Sequence, residues 1–386
     1  MVVAVPTMGL SVLLPEISKD LNLCLIQAGL LWGIGSLPII FSSILSGMLI
    51  DRFGPKRIII TACLLSGLTG ASRGFSTNFI FLMVTVFLFG LCTPLVMISN
   101  LKSAKVWFLS HEFGMANGIL ALGMGSGFFI GSMVSATFIS PWLGGWRNVF
   151  IFYGLIAVGF MIPWFFTHPV PSGLGTPQSA TSKESFRQSI RYITRIKNIW
   201  LLGLAFLSIS GGVQGFLGYL PTYLRNLGWQ EISADSVTAS FHLASMLCVI
   251  PITRLSNKYK TRRKIVIGAA SLTAISTGLL SFLSGGIIWV AVILAGVARD
   301  AVMSLITTMN VETKGIGSAY AGIASGFIMI FSGVGNLVAP PLGNKLAGIG
   351  LGTPFIFWAA LGVIGVIFIA SLKETQTLPI PNQDNK

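Results

Sequence analysis

Residues 79–101 read FIFLMVTVFLFGLCTPLVMISNL, a run of 23 residues without a charged side chain. A helix needs about 20 apolar residues to cross the hydrocarbon core of a bilayer. The run is long enough for that, and it lacks the polar alternation that marks a strand of a membrane barrel. The stretch therefore predicts a transmembrane helix.

Similar apolar stretches recur along the whole chain of 386 residues. The predicted fold class is an all-α integral membrane protein with twelve transmembrane helices. We place the spans at 2–17, 24–50, 58–75, 79–101, 115–140, 147–167, 199–220, 236–255, 264–284, 286–309, 316–340 and 352–372.

The composition excludes the main soluble classes. Hydrophobic residues make up 53% of the chain and charged residues 9%, and the mean hydropathy is +0.82. A soluble domain carries about 25% charged residues because its surface must be hydrated. A cytosolic enzyme, a nucleic-acid-binding domain and a disordered tail are excluded, and the lipid bilayer is the expected environment.

The net charge of +14 is explained by topology and does not require a nucleic-acid partner. With the N-terminus in the cytoplasm, 19 of the 25 Lys and Arg residues fall in inside segments and one in mid-span. Because cytoplasmic loops collect Lys and Arg, this predicts a multi-pass protein of the cell (inner or plasma) membrane with both termini cytoplasmic. The five outside are Lys19, Arg73, Arg147, Arg225 and Lys345.

The longest polar interruption, residues 168–198, divides the spans six to six. Arg187, Arg191 and Arg195 recur there at a helical spacing, which predicts a basic amphipathic helix on the inner leaflet. The predicted organisation is an N-terminal six-helix bundle (1–167), a cytoplasmic linker (168–198), a C-terminal six-helix bundle (199–372) and a cytoplasmic tail (373–386).

The two halves repeat at a shift of 204 to 206 residues. Two parallel six-helix halves with a site between them are typical of transporters, in which rocking of the halves exposes that site to each side in turn. The matching pairs are Leu14-Pro15 with Leu220-Pro221, Gly90 with Gly296, Met97 with Met303, and 150–153 with 355–358.

A short motif stands between the second and third spans, where residues 47–57 read GMLIDRFGPKR. It resembles the G-x-L-x-D-R-x-G-x-K/R-K/R signature of the major facilitator superfamily (MFS). The resemblance implies the MFS fold of two pseudo-symmetric bundles, and a gating role for this loop. The implied gating residues are Gly47, Asp51, Arg52, Gly54, Lys56 and Arg57.

Two departures from that family bear on the cargo. Proton-driven drug exporters of the family usually carry an arginine on span four, where this chain has Val86. Their span-five motif ends in a Gly-Pro pair, whereas Gly131 is followed here by Ser132. Both departures disfavour drug export without excluding it.

Only Arg299 and Asp300 place charges in the middle of a predicted span. A charge there costs about 2.5–3.5 kcal/mol on insertion scales, which makes the pair a candidate functional site. Since neighbours on a helix point about 100° apart, we do not expect the two to face one partner. The hypothesis is that Arg299 attracts an anionic substrate and that Asp300 takes part in proton coupling. The alternative is a structural pair without a transport role.

Other polar groups in the spans are weaker candidates for substrate contact. His242 has a side chain that titrates near neutral pH, although a lone membrane histidine is more often a packing residue. The rotation of Trp32 is open, so its ring faces either the cavity or lipid. The further candidates are Asn100, Gln214 and Trp32.

The predicted function is secondary transport by alternating access. The expected partners are a small-molecule substrate, which we expect to be a small organic anion, and the proton. No catalytic constellation, metal spacing or nucleotide-binding loop occurs, so we expect no enzyme activity and no cofactor. Trp146-Arg147 and Phe150 give a diffuse similarity to the cyanate, nitrate/nitrite and monocarboxylate carriers. A drug exporter and a non-transporting membrane sensor are the alternatives, and a monomer is expected.

Overall fold

The computed structural model describes residues 1–108, 112–167, 186–259 and 261–372. Within these ranges the regular structure is helical, and no strand is present. This confirms the predicted all-α class.

The N-terminal half consists of long helices, several of them interrupted. Residues 135–139 form a π-helical turn between α6 and α7. The helices are α1 (Ala4–Asp20), α2 (Leu25–Ile34), α3 (Leu37–Phe53), α4 (Pro55–Ser72), α5 (Phe79–Trp107), α6 (Phe113–Val134), α7 (Ser140–Leu143), α8 (Trp146–Gly159) and α9 (Met161–Phe166).

The C-terminal half follows the same plan after one short helix. Its helices are α10 (Phe186–Ile193), α11 (Lys197–Asn226), α12 (Glu231–Tyr259), α13 (Arg262–Leu279), α14 (Ile287–Val297), α15 (Arg299–Val311), α16 (Gly317–Leu346) and α17 (Thr353–Ala370).

Ten helical stretches in the described residues are long and apolar enough to cross a membrane. The two remaining predicted spans correspond to α1, which has 17 residues, and α13, whose first turn holds Arg262, Arg263 and Lys264. Both pack among the other helices of their own half. Helices therefore occupy all twelve predicted positions, and membrane crossing by these two remains a prediction.

The bounds of the helices repeat between the halves. A shift of 206 carries the start of α2 and the end of α3 onto the two ends of α12, and a shift of 207 carries α4 onto α13. The packing repeats as well, because α4 packs on α5 and α8 while α13 packs on α14 and α17. The fold is thus two pseudo-symmetric helical bundles.

The main contacts between the bundles are α1 with α11, α2 with α16 and α6 with α12, and α3 also packs on α16. Small residues bring the backbones together, since a methyl group at Gly29 would lie 2.7 Å from Pro341 Cα. On the pseudo-twofold axis, Ser11 Oγ donates to the carbonyl of Leu217 at 2.6 Å, and the two residues are 206 apart. That separation equals the repeat shift, so equivalent points of α1 and α11 touch each other.

The linker helix α10 packs on the C-terminal half. Its Tyr192 ring stacks on Tyr320 of α16 with the centroids 4.8 Å apart, and Ile193 is buried. Residues 168–185, where the predicted linker begins, lie outside the described residues. The domain boundaries and the placement of the basic helix on the inner leaflet remain predictions.

Close approach at Gly29 makes a direct prediction. We expect Gly29→Ala to destabilise the protein by about 1–3 kcal/mol, because the added methyl group overpacks the α2–α16 contact. The measurement is thermal unfolding of the purified protein in detergent. Gly123→Ala is the matched control, since a methyl group at that helical glycine meets nothing within 4 Å. Equal unfolding temperatures for both variants would contradict this view of the interface.

Candidate substrate and gating site

The tenth predicted span is broken at Ala298, between α14 and α15. Arg299 and Asp300 are therefore the first two residues of a helix, where backbone N–H groups lack partners within the helix. The Ala298 side chain cannot cap them. Instead, the backbone N–H of Asp300 donates to Ser245 Oγ of α12 at 3.1 Å. A hydroxyl group from a neighbouring helix thus acts as the cap.

Arg299 and Asp300 pair with each other, Nη1 to Oδ1. Although they are neighbours in sequence, they do not take separate partners as the helical spacing led us to expect. Their side chains are 22% and 32% exposed, so neither is completely enclosed by the helices around it. Arg299 Nε has no partner in the described residues, which leaves donor capacity on the guanidinium group.

His242 lies one helical turn before Ser245 on α12. It is close enough to Arg299 and Asp300 for the charges of both to act on its ring. The residue is 2% exposed, and the centroid of its ring lies 5.4 Å from the centroid of the Phe128 ring on α6. Nε2 has no partner within the described ranges. The structure therefore brings three of the predicted site residues to one α12–α15 contact that also touches the other bundle.

Trp32 and Gln214 form a second group. Trp32 Nε1 donates to the backbone carbonyl of Gln214 at 2.7 Å, and the indole ring packs on Gly218. The ring is 3% exposed and lies between the two bundles, which resolves the rotation that the sequence left open. Asn100 is partly exposed on α5 and makes no hydrogen bond to the other candidates in the described residues.

The motif loop joins several helices of the N-terminal half. Gly54 adopts φ +82° between α3 and α4, a backbone conformation that favours glycine. Lys56 Nζ donates to the carbonyls of Phe165 and Thr167 at the end of the half. Lys102 Nζ of α5 donates to the carbonyl of Gly47 at 3.4 Å.

The remaining motif residues contribute less to this network. The Arg52 guanidinium lies 5.3 Å from the centroid of the Phe53 ring, and Arg57 is exposed. The side chain of Asp51 is outside the described part of the chain. The gating role of the motif remains a prediction.

The sequence missed a buried ionic group at the opposite end of the bundles. Asp235 is fully buried near the start of α12, with Oδ1 2.9 Å from Arg225 Nη2 of α11. Oδ2 accepts from Thr137 Oγ1 of the π-helical turn at 2.7 Å. The predicted eighth span began one residue after Asp235, and Arg225 counted as a loop charge. An acid and a base ten residues apart across a short loop were the available signal.

Arg73 is a second correction to the loop charges. Its side chain is 1% exposed and lies over the ring of Phe89, 4.1 Å from the centroid, with Phe150 at 5.4 Å. A guanidinium group over aromatic faces gains a cation–π attraction, which partly replaces its hydration. The sequence pattern could not distinguish this buried arginine from one in a loop.

We name the end of the bundles near Asp20 and Leu25 the outer end, and the end near Gly54 the inner end, after the predicted topology. Hydrogen bonds seen between the halves lie from the middle of the molecule to the outer end. They are Ser11 to Leu217, Trp32 to Gln214, Ser236 to Met133, Thr137 to Asp235, and Asn344 to Leu25. Within the described residues, the hydrogen bonds between the halves thus lie in the middle of the molecule and at its outer end.

Two pseudo-symmetric helical bundles that meet around a shared axis are typical of membrane transporters. Residues 1–331 match the family model of the Major Facilitator Superfamily. The chain belongs to this family. Family membership confirms the predictions of a membrane transporter, of the MFS fold, and of a protein that is not an enzyme.

Relatives and a solved structure agree with this assignment. The chain is 26% identical to the inner membrane transport protein RhmT of Escherichia coli K12, covering 88% of this chain and 83% of RhmT. It is 22% identical to the probable sulfoacetate transporter SauU of Cupriavidus necator H16, covering 98% and 92%. A bacterial homologue of the human lysosomal transporter Spinster, solved inward-facing and occupied, superposes with a TM-score of 0.75 over 96% of this chain and 93% of that chain, at 15% identity.

The cap on Asp300 makes a second prediction. We expect Ser245→Ala to destabilise the protein by about 1–3 kcal/mol, because it leaves a buried backbone N–H without a partner. Thermal unfolding in detergent measures the effect. Ser240→Ala is the control on the same helix, since its hydroxyl bonds only the carbonyl of Val237 on α12 itself. A drop of the same size in both variants would refute the capping role.

Proposed function

We propose that this protein is a proton-coupled transporter of a small organic anion that works by alternating access in the cell membrane, with both termini in the cytoplasm. The observation that carries the proposal is the partly exposed Arg299–Asp300 pair at the break between α14 and α15. An arginine in a membrane span marks a substrate or ion pathway more often than a structural contact.

The pair suggests how an anion and a proton bind together. In the empty site the Asp300 carboxylate occupies Arg299 and competes with a substrate carboxylate. A proton on Asp300 removes the competing charge and frees the guanidinium for the substrate. Each ligand then raises the affinity for the other, since coupling between two binding sites is reciprocal.

Charge balance favours this scheme. The empty site holds one positive and one negative group, and the loaded site holds Arg299, a neutral Asp300 and an anion with a single net charge, which a dianion such as sulfoacetate has only when a second proton accompanies it. Neither state leaves a net charge in the low-dielectric interior, where an unpaired charge is costly. A site occupied by the anion alone, or by the proton alone, would carry a net charge. The scheme therefore disfavours movement of a partly loaded carrier.

Relatives support an anionic cargo. Besides the sulfoacetate relative, the chain is 25% identical to the cis,cis-muconate transport protein of Acinetobacter baylyi over 96% of this chain. It is also 24% identical to the probable nitrate/nitrite transporter NarK2 of Mycobacterium tuberculosis H37Rv over 69% of this chain. These names describe anion carriers, which agrees with a single arginine in the central region.

Drug export is the second candidate. The multi-drug resistance efflux pump PmrA homologue of Lactococcus lactis is 24% identical over 81% of this chain. Against this candidate, Val86 is buried where the exporters carry an arginine, and no charge from α5 replaces it there.

The proposal is tested with the purified full-length protein in liposomes loaded with a pH-sensitive dye. Nitrate, sulfoacetate and cis,cis-muconate are supplied outside in turn, with and without an inward proton gradient. Uptake of sulfoacetate or cis,cis-muconate that acidifies the lumen supports the proposal, whereas uptake of nitrate alone would contradict an organic cargo. Ethidium movement without movement of any of the anions would support the exporter, and anion binding without flux would support a sensor.

Separate substitutions in the pair test its roles. Arg299→Gln should reduce anion uptake at least about tenfold, because a hydrogen bond to a charged group contributes about 1.5–3 kcal/mol. Asp300→Asn mimics the protonated acid, so anion exchange should persist while a proton gradient no longer drives accumulation. The measurements are tracer exchange and gradient-driven uptake in the same liposomes.

Two controls accompany these variants. The double variant Arg299→Gln, Asp300→Asn keeps the site neutral and separates loss of function from loss of folding. Arg262→Gln removes a different ion pair of the same half, Arg262 with Glu312 at 2.9 Å, and should leave proton coupling intact. Full coupled uptake in both single variants would remove the pair from the mechanism.

A further inference from the structure

The outer end of the two halves is joined by an ionised side chain. Asp235 accepts from Thr137 Oγ1 through Oδ2 at 2.7 Å and contacts Arg225 Nη2 through Oδ1 at 2.9 Å. The carboxylate is fully buried, and the Arg225 side chain is 12% exposed. Both carboxylate oxygens are therefore occupied, each by a partner of a different kind.

The two partners of Asp235 belong to different rigid bodies. Arg225 ends α11 and Asp235 begins α12, so the ion pair lies within the C-terminal half and persists when that half moves. Thr137 belongs to the N-terminal half, so its hydrogen bond must break whenever the halves separate at this end. The ion pair holds the carboxylate in position, and the threonine makes the connection.

This connection is of a stronger type than the other bonds between the halves named above. Those bonds join neutral groups, namely hydroxyl, indole or amide donors to carbonyl oxygens or to a thioether. A hydrogen bond to an ionised acceptor is roughly twice as strong as one between neutral groups. Burial strengthens it further, because water does not compete for the carboxylate.

The pseudo-symmetric position shows a contrasting solution. A shift of 206 carries Asp235 onto Gly29 and Thr137 onto Gly343. There the halves meet by close backbone packing, with a Gly29 methyl group only 2.7 Å from Pro341 Cα, and by the neutral hydrogen bond from Asn344 to the carbonyl of Leu25. One side of the outer end is thus held by backbone packing and a neutral hydrogen bond, and the other by a hydrogen bond to an ionised carboxylate.

The local backbone at Thr137 supports a role in movement. Residues 135–139 form a π-helical turn between α6 and α7, and such turns occur frequently at functional sites. The charges that act on Asp235 are Arg225 on α11 and Glu231 on its own helix, while Thr137 is neutral. Glu231 is exposed.

We propose that Asp235 is the gate residue of the outer end, where its carboxylate, positioned by Arg225, holds the two halves closed through Thr137. This inference goes beyond the proposed function and does not depend on the identity of the cargo. It assigns a transport role to a residue outside the motif loop and outside the Arg299–Asp300 site.

The test measures the opening of the outer end directly. Spin labels are placed by Trp142→Cys and Ile349→Cys, one in each half, at outer positions that are 74% and 79% exposed. The native Cys24, Cys63, Cys92 and Cys248 are first replaced by Ser. Pulsed electron–electron double resonance on the full-length protein in liposomes then gives the distribution of distances between the two labels. Thermal unfolding shows that each variant is folded.

Thr137→Val is the main variant, because it keeps the size of the side chain and leaves the ion pair intact. We expect the ratio of long to short separations to rise about tenfold, as for loss of one hydrogen bond to a charged group. Thr137→Ser restores the hydroxyl and should return the distribution to that of the parent. Asp235→Asn should shift it in the same direction as Thr137→Val.

Glu231→Gln is the matched control, since it removes an exposed acid four residues earlier on the same helix. It should leave the distribution unchanged. The inference is overturned if Thr137→Val and Asp235→Asn keep the parent distribution, or if Glu231→Gln shifts it as much as they do. It is equally overturned if Thr137→Ser behaves like Thr137→Val.

Discussion

The hydrocarbon interior offers no water, and this single constraint explains most of the structure. Backbone groups must bond within the chain, so the spans in the described regions are helices. Ionisable groups must find partners, and most of those buried here do. Asp235 has Arg225 and Thr137, and Arg299 has Asp300. Arg73 follows another route, because the faces of Phe89 and Phe150 stand where a counter-ion would otherwise be needed. Each ionisable group in the apolar interior thus marks a position where the chain has a role besides spanning the bilayer.

The repeat gives both halves one framework but not one chemistry. Helix bounds agree at shifts of 206 and 207, and helix pairs pack in the same way in each half. The side chains at equivalent positions differ where the halves meet, with Gly29 in one and Asp235 in the other. A symmetric backbone can therefore rock about its axis while its two edges respond differently. Close glycine contacts need no water to separate or to join, whereas a buried carboxylate must gain water on opening and lose it on closing.

The sequence predicted the helix positions because hydropathy can be read along the chain without knowledge of how the helices pack. It predicted the two halves because the repeat shift is readable in the same way. The depth of a side chain in the bundle and the rotation of its helix depend on how the molecule packs, and the sequence was insufficient to predict either. Arg73 looked like a loop charge but is buried, Arg225 looked like one but pairs with the buried Asp235, and the span that holds Asp235 begins five residues earlier than its apolar stretch. Trp32 was equally compatible with lipid and with the interface until its bond to Gln214 was seen. The break at Ala298 carries no proline or glycine at that position, so neither of the usual sequence signals marked it.

Helix α12 connects the charged pair to the outer end. Asp235 lies in its second turn, His242 about 10 Å further along, and Ser245 about 15 Å from Asp235, at about 1.5 Å per residue. The same helix bonds the N-terminal half through Asp235, packs against Phe128 through His242, and caps α15 through Ser245. Ser245 accepts a hydrogen bond from the backbone N–H of Asp300. A change in the partner of Arg299 that displaces Asp300 is therefore transmitted to α12 directly through this hydrogen bond. A helix moves as one body over this length, so displacement at Ser245 also displaces Asp235. The site and the outer end are thus two contacts of one rigid element, which is the physical requirement for cargo binding at one to bias opening at the other.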